Sequence, residues 1–138
     1  MAIWKNTSRL KNKPWGHEDR FQPRGQTGVK MIHLKEGHRT SLKKLKSKNQ
    51  IYICVAGLVK VDAPNETEFT DDGTFTLRPG DQLTIEKNNP YRLEGLKDSI
   101  LIEITDHSSY EALQGIEMIE DDYGRKGIHP SLVNFRIH

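Results

Sequence analysis

The side chains able to do chemistry in this 138-residue chain are one carboxylate in an apolar run, a few phenols, hydroxyls and amides, and several basic groups. Glu103 stands on the last strong strand run, Ile100 to Thr105. Lys43, Leu45 and Ser47 alternate, so on a strand they share one face. Gln50, Tyr52, Tyr91 and Arg92 add an amide, two phenols and a guanidinium. Proton abstraction beside a carbonyl requires a base and a proton donor. Glu103 as base, with Lys43 or Tyr91 as acid, meets that requirement by residue type.

Other chemistries lack their parts. The six histidines, His17, His33, His38, His107, His129 and His138, are scattered in sequence, and none forms a pair with metal-ligand spacing. No histidine is placed to activate Ser47 as a nucleophile. Glu94-Gly95-Leu96 and Asp71-Asp72-Gly73 read as plain turns, and no glycine-rich phosphate loop is present.

The elements that must position these groups read as short strands between turn signals. Strands are predicted over 29–34, 41–47, 51–56, 58–61, 74–77, 83–85, 91–94 and 100–105. Gly37, Gly57, Asp72-Gly73, Pro79-Gly80 and Asn89-Pro90 mark turns between them. Residues 108–114 read as a short helix capped by Ser108 or Ser109. Many short strands with close turns predict an antiparallel all-β sandwich or barrel.

Composition sets the bounds. The length suits one domain, and an apolar content of 34% leaves much surface or polar interior. A net charge of +2 gives no footprint for nucleic acid, and no aromatic residues interleave with the lysines at 43, 44, 46 and 48. The lone Cys54 excludes an internal disulfide and lies in an apolar strand as a buried thiol. The first twenty residues hold no signal-like apolar run and no later stretch is long enough to span a bilayer, so a cytoplasmic, membrane-free protein is expected.

Four blocks carry a family likeness. Lys13-Pro14-Trp15-Gly16 resembles an Arg/Lys-Pro-Trp-Gly motif. The segment from Gly37 to Gly57 matches a first barrel motif in length and keeps Ser41, Leu42, Ile53, Val55 and Gly57. Tyr91-Arg92-Leu93-Glu94 stands where a His-Arg-Leu-Glu-Asn run is found, and Glu120-Asp121-Asp122-Tyr123-Gly124-Arg125 matches a Glu-Asp-x-Tyr-Gly-Arg ending. In these the chain resembles the cupin superfamily, and in particular the C-terminal cupin domain of type II mannose-6-phosphate isomerases. The resemblance implies a single-domain, jelly-roll-like antiparallel β-barrel over 13–125, with a 12-residue N-terminal extension before it, a short helical segment within it, and a C-terminal tail over 126–138.

The departures from the family decide the expected chemistry. Where metal-binding relatives place two histidines, a glutamate and a third histidine, this chain has Leu45, Ser47, Gln50 and Tyr91. The arginine usually found two residues before Glu120 is Met118. The resemblance therefore implies no metal in the barrel and no cofactor. It implies a pocket lined by Lys43, Ser47, Gln50, Tyr52, Tyr91, Arg92 and Glu103 that takes a small polar ligand such as a sugar or sugar phosphate. Three readings stay open: a non-catalytic binding protein, a metal-independent sugar isomerase of the mannose-6-phosphate isomerase kind using Glu103, Lys43 and Tyr91, and a structural module. In the last, Tyr91 fills the barrel and Lys43 pairs with Glu103. Cupins commonly pair, so a homodimer is expected. The row Lys44, Lys46 and Lys48 reads as a solvated strand edge or as a partner surface for the acidic segment Glu117 to Asp122 of a second subunit.

Overall fold

The computed structural model describes residues 2–21, 27–66, 72–106 and 116–122. The expected helix over 108–114, the Tyr123-Gly124-Arg125 end of the last motif, and the tail lie outside the described residues. What is described is all-β, with eleven strands. They are β1 (Arg9–Lys13), β2 (Gly16–Phe21), β3 (Gly28–Leu34), β4 (Leu42–Leu45), β5 (Gln50–Ala56), β6 (Val59–Asp62), β7 (Thr74–Leu77), β8 (Gln82–Ile85), β9 (Arg92–Gly95), β10 (Ser99–Thr105) and β11 (Ile116–Glu120). Among the described residues no helix is long and apolar enough to cross a membrane.

Six strands form one antiparallel sheet in the order β1-β2-β3-β10-β5-β8. Opposite it lie the three-stranded β7-β6-β9 and the pair β11-β4, linked by the bridges Arg39 to Glu94 and Lys43 to Tyr91. Period-two alternation on each strand sends one set of side chains into the space between the layers. Ile32, Leu34, Tyr52, Cys54 and Leu101 come from one side, Val59, Val61, Leu77, Tyr91 and Leu93 from the other, with Trp15 and Ile85 completing the core. β10 shows the pattern most clearly: Ser99, Leu101, Glu103 and Thr105 are buried, and Ile100, Ile102 and Ile104 are half-buried on the outer face. Burial of Cys54 raises its thiol pKa, as a structural cysteine requires.

The first hairpin differs from the sequence expectation. β1 starts at Arg9, inside the stretch read as an extension, and pairs along its length with β2. Lys13-Pro14-Trp15-Gly16 is the turn of that hairpin. It drops Trp15 into the core and ties its carbonyl to the Lys35 amide at 2.9 Å. Gly16 lies so close to the His33 carbonyl that a Cβ would sit 1.9 Å from its oxygen, so only glycine closes this hairpin against β3. The acidic segment also differs. It forms β11, which pairs with β4 of the same chain, Met118 facing Lys43. Lys44 and Lys46 reach Glu117 at 3.8 and 3.3 Å, so these two lysines meet an acidic partner within the chain itself.

Gly57 turns the chain from β5 in the large sheet to β6 in the facing one. Its φ is +91°, and a Cβ there would lie 2.3 Å from Ser99 Oγ and 2.4 Å from the Asp98 carbonyl oxygen. Ser99 Oγ accepts from the Leu58 amide at 3.0 Å and donates to the Lys97 carbonyl at 2.7 Å, which locks the corner. Gly57→Ala is expected to cost about 2 kcal/mol or more through the left-handed backbone and the clash. A denaturant titration checks this, and a variant as stable as wild type contradicts the corner geometry.

A buried ion cluster holds β1 and β2 to the inner face. Glu18, opposite Ile32, is 3% exposed. Its Oε1 accepts from Arg20 Nε at 2.9 Å and lies 3.7 Å from Lys30 Nζ and 3.9 Å from Lys13 Nζ. Burial alone raises its pKa, but Lys30, Lys13 and Arg20 together outweigh that and bring it down to about 2. The carboxyl is thus depressed in the folded state, and its contribution is full above about 4.5 and lost as pH falls toward about 2. Glu18→Gln is expected to destabilise the protein at pH 7 by on the order of 3 kcal/mol. The difference from wild type should vanish near pH 2, and stability measured by urea titration across that range checks both statements.

Candidate functional site

At the centre of the barrel four polar side chains close on one another. Gln50 and Tyr52 come from β5, Glu103 from β10 beside it, and Tyr91 from the residue preceding β9 on the facing layer. Period two sends Gln50 and Tyr52 to the same side, and the β5–β10 register sets Tyr52 directly opposite Glu103. Exposure is 2% for Gln50, 1% for each tyrosine and 6% for Glu103. Gln50 Nε2 donates to Glu103 Oε2 at 2.9 Å and to the Tyr91 hydroxyl at 2.8 Å. The two phenolic oxygens are 2.6 Å apart, and the Tyr52 hydroxyl donates to Glu103 Oε2. Since Tyr52 spends its proton on Glu103, Tyr91 is the donor between the phenols. The proton order runs from Gln50 to Tyr91 to Tyr52 to Glu103, with a second Gln50 proton on the same carboxylate.

Burial raises the pKa of both phenols, and the Glu103 charge adds to it, so both remain protonated donors. The other Glu103 oxygen, Oε1, lies 3.8 Å from Lys30 Nζ, and Lys30 bridges on to Glu18. A line of alternating charge therefore runs from the first hairpin to the barrel centre. Lys43 Nζ stands 5.3 Å from the centroid of the Tyr91 ring, a cation–π contact. Beside Tyr91 opens a cavity of about 190 Å³, walled by Val61, Phe75, Leu83, Ile85 and Pro90.

Of the residues expected to line the pocket, Gln50, Tyr52, Tyr91 and Glu103 meet, and Lys43 flanks them. Ser47 does not join them: β4 ends at Leu45, so the alternation stops, and Ser47 is exposed in the turn that follows. Arg92 does not join them either, because adjacent strand residues point opposite ways. Its side chain is buried toward the β11 end, with Nε donating to the Thr40 carbonyl at 2.9 Å and Nη1 to Glu120 Oε1 at 3.1 Å. Glu103 is partnered by Lys30. Lys30 and Glu18 were missed in the sequence. The available signal was Lys30 sharing a strand face with Ile32 and Leu34.

The metal-binding arrangement that the fold's relatives use does not fit these residues. Leu45 is buried and offers no donor atom, Ser47 is displaced, and Gln50 and Tyr91 are bonded to each other. Among the described residues the group of histidine, cysteine and carboxylate side chains close enough to share an ion lies elsewhere, at His17, Asp19 and His33. This corrects the expectation that the histidines stay scattered: β2 and β3 pair so that His17 faces His33.

No family model matches the chain. Over 115 residues, 82% of its length, it is 32% identical to the alginate biosynthesis protein AlgA of Pseudomonas aeruginosa. The match covers 22% of AlgA, so the chain spans about a fifth of that curated relative. Among solved structures, Pac13, a nucleoside dehydratase, superposes with a TM-score of 0.70 at 14% identity, over 87% of this chain and 93% of that one. KdgF from Halomonas sp. gives a TM-score of 0.64 at 15% identity, over 75% and 89%. The eleven antiparallel strands of the described residues and these likenesses give the chain a cupin fold, and in sequence it is similar to AlgA over 82% of its own length.

Proposed function

We propose that the barrel centre is a metal-independent site for one small hydroxyl-rich ligand, a sugar, sugar phosphate or nucleoside, held without metal-dependent catalysis. The observation that carries this reading is the buried carboxylate of Glu103, bonded to Tyr52 and Gln50 and linked through Tyr91 to the cavity wall. A packed core does not require such a group, since burying it costs free energy that hydrogen bonds only offset. The cavity of about 190 Å³ holds the volume of roughly six waters, and falls below the roughly 300 Å³ at which drug-sized pockets begin. That size suits a single small ring. Its apolar wall with Asn65, Glu66, Glu86 and Asn89 at the rim suits a molecule with one apolar face and many hydroxyls. AlgA acts in alginate biosynthesis by its name, and Pac13 is a nucleoside dehydratase, a variant of which is solved with uridine. Both support a carbohydrate-bearing ligand.

A second reading is metal-independent acid–base turnover, such as aldose–ketose isomerisation. It is favoured by the direct proton contact between Tyr52 and Glu103, with a phenol kept protonated by burial as donor and the carboxylate as base.

Thermal shift and titration calorimetry in the presence of a chelator test the binding reading against monosaccharides, their phosphates and uridine. At least one ligand is expected to raise Tm, and Tyr91→Phe, which alters the ring member on the cavity wall, is expected to weaken binding about tenfold, the worth of one lost hydrogen bond to a buried group. Silence across the panel overturns the reading and leaves the barrel as a packed module. Deuterium exchange at C2 of mannose 6-phosphate, lost in Glu103→Gln, tests turnover; its absence in wild type ends the second reading.

A further inference from the structure

On the opposite side of the six-stranded sheet, facing away from the barrel interior, β2 and β3 assemble a second group. His17 and Asp19 are two apart on β2 and share a face, and the register sets His17 opposite His33 and Asp19 opposite Met31. The imidazole rings of His17 and His33 stack at 4.1 Å with 17° between their planes. His33 Nε2 lies 3.2 Å from Asp19 Oδ2. One ligand atom from each of the three residues falls within 4.8 Å of the others. The side chains of His33 and Asp19 are 29% and 26% exposed, so an ion from solvent reaches them.

We propose that His17, Asp19 and His33 bind a divalent transition-metal ion of the zinc class on the outer face of the barrel wall. Two imidazoles and one carboxylate are a donor set that zinc, cobalt and nickel accept. Two ligands at about 2.0–2.2 Å from one tetrahedral ion stand roughly 3.3 Å apart, and the His33–Asp19 pair already has that spacing. Bringing in His17 takes a rotation of its ring out of the stack. The backbone is fixed beforehand, because β2 is hydrogen-bonded to β1 on one side and to β3 on the other. Asn12 on β1 and Ile100 on β10 stand opposite the two histidines, so a polar residue borders the group on one flank and an aliphatic one on the other. Three protein ligands leave a coordination position open to water or to a donor from outside. Strand alternation keeps this site apart from Glu103: on β3, Lys30 turns toward the barrel and His33 away from it.

The test uses the full chain, free of any purification tag and stripped with chelator, titrated with zinc chloride in a calorimeter. One zinc per chain is expected, bound at micromolar or tighter Kd. His17→Ala and His33→Ala should each weaken it at least tenfold, with metal-free Tm near that of wild type because both side chains are half-exposed. Glu103→Gln and Tyr91→Phe should leave zinc affinity unchanged. In the wild type, the imidazole resonances of His17 and His33 should shift with one equivalent of zinc, a readout independent of how any variant folds. The proposal is overturned by no stoichiometric zinc, by unshifted resonances at these two histidines, by affinity that persists in the His17→Ala/His33→Ala double variant, or by affinity lost in Glu103→Gln.

Discussion

The closed hydrogen-bond ring of Gln50, Tyr91, Tyr52 and Glu103 is the constraint on which the centre of this molecule depends. It joins the two layers of the sandwich at their centre, since three members come from the large sheet and Tyr91 from the facing one. Each member is satisfied only if the others hold their places, and a buried polar group left alone is far more costly than a satisfied one is favourable. The ring therefore fixes the register of β5 against β10 and the approach of the β9 end. Lys30 completes it by balancing the carboxylate, and through Glu18 couples it to the first hairpin.

That dependence explains how a cupin fold holds together around the side chains present at its centre. In the relatives the resemblance points to, converging imidazoles and a carboxylate gather around an ion at the barrel centre. Here the same region is occupied by neutral amide and phenol groups organised around one negative charge. The centre stays polar, and polarity is preserved by hydrogen bonding within the chain. Met118, opposite Lys43 on β11, extends the apolar surroundings at one flank.

Much of the fold was legible in the chain. The strands in the middle carry their own alternation and are cut by glycine, proline and asparagine turns, so local pattern was enough. β1 was not legible, because Arg-Leu-Lys-Asn-Lys has no alternation, and its place depends on pairing with β2. β11 was not legible either, because its partner β4 lies some seventy residues earlier and only tertiary pairing reveals it. The centre of the site was readable from the family resemblance, which marks Glu103 and the altered positions Gln50 and Tyr91. Ser47 and Arg92 were misplaced by phase, the one past a strand end and the other one residue out of step with Tyr91. The meeting of His17 with His33 is a matter of register, which spacing in the sequence does not encode.

The pairing of β11 with β4 also bears on how the basic flank behaves. Arg92 and Arg39 grip Glu120 and Asp122, as Lys44 and Lys46 grip Glu117. Because the acidic strand is tethered to the same molecule, it competes for those cations at the high effective concentration that a covalent link confers. A polyanion in solution would first have to displace this built-in counter-strand. The lysine-rich stretch is thus shielded electrostatically from within, and its composition overstates its appetite for anionic surfaces.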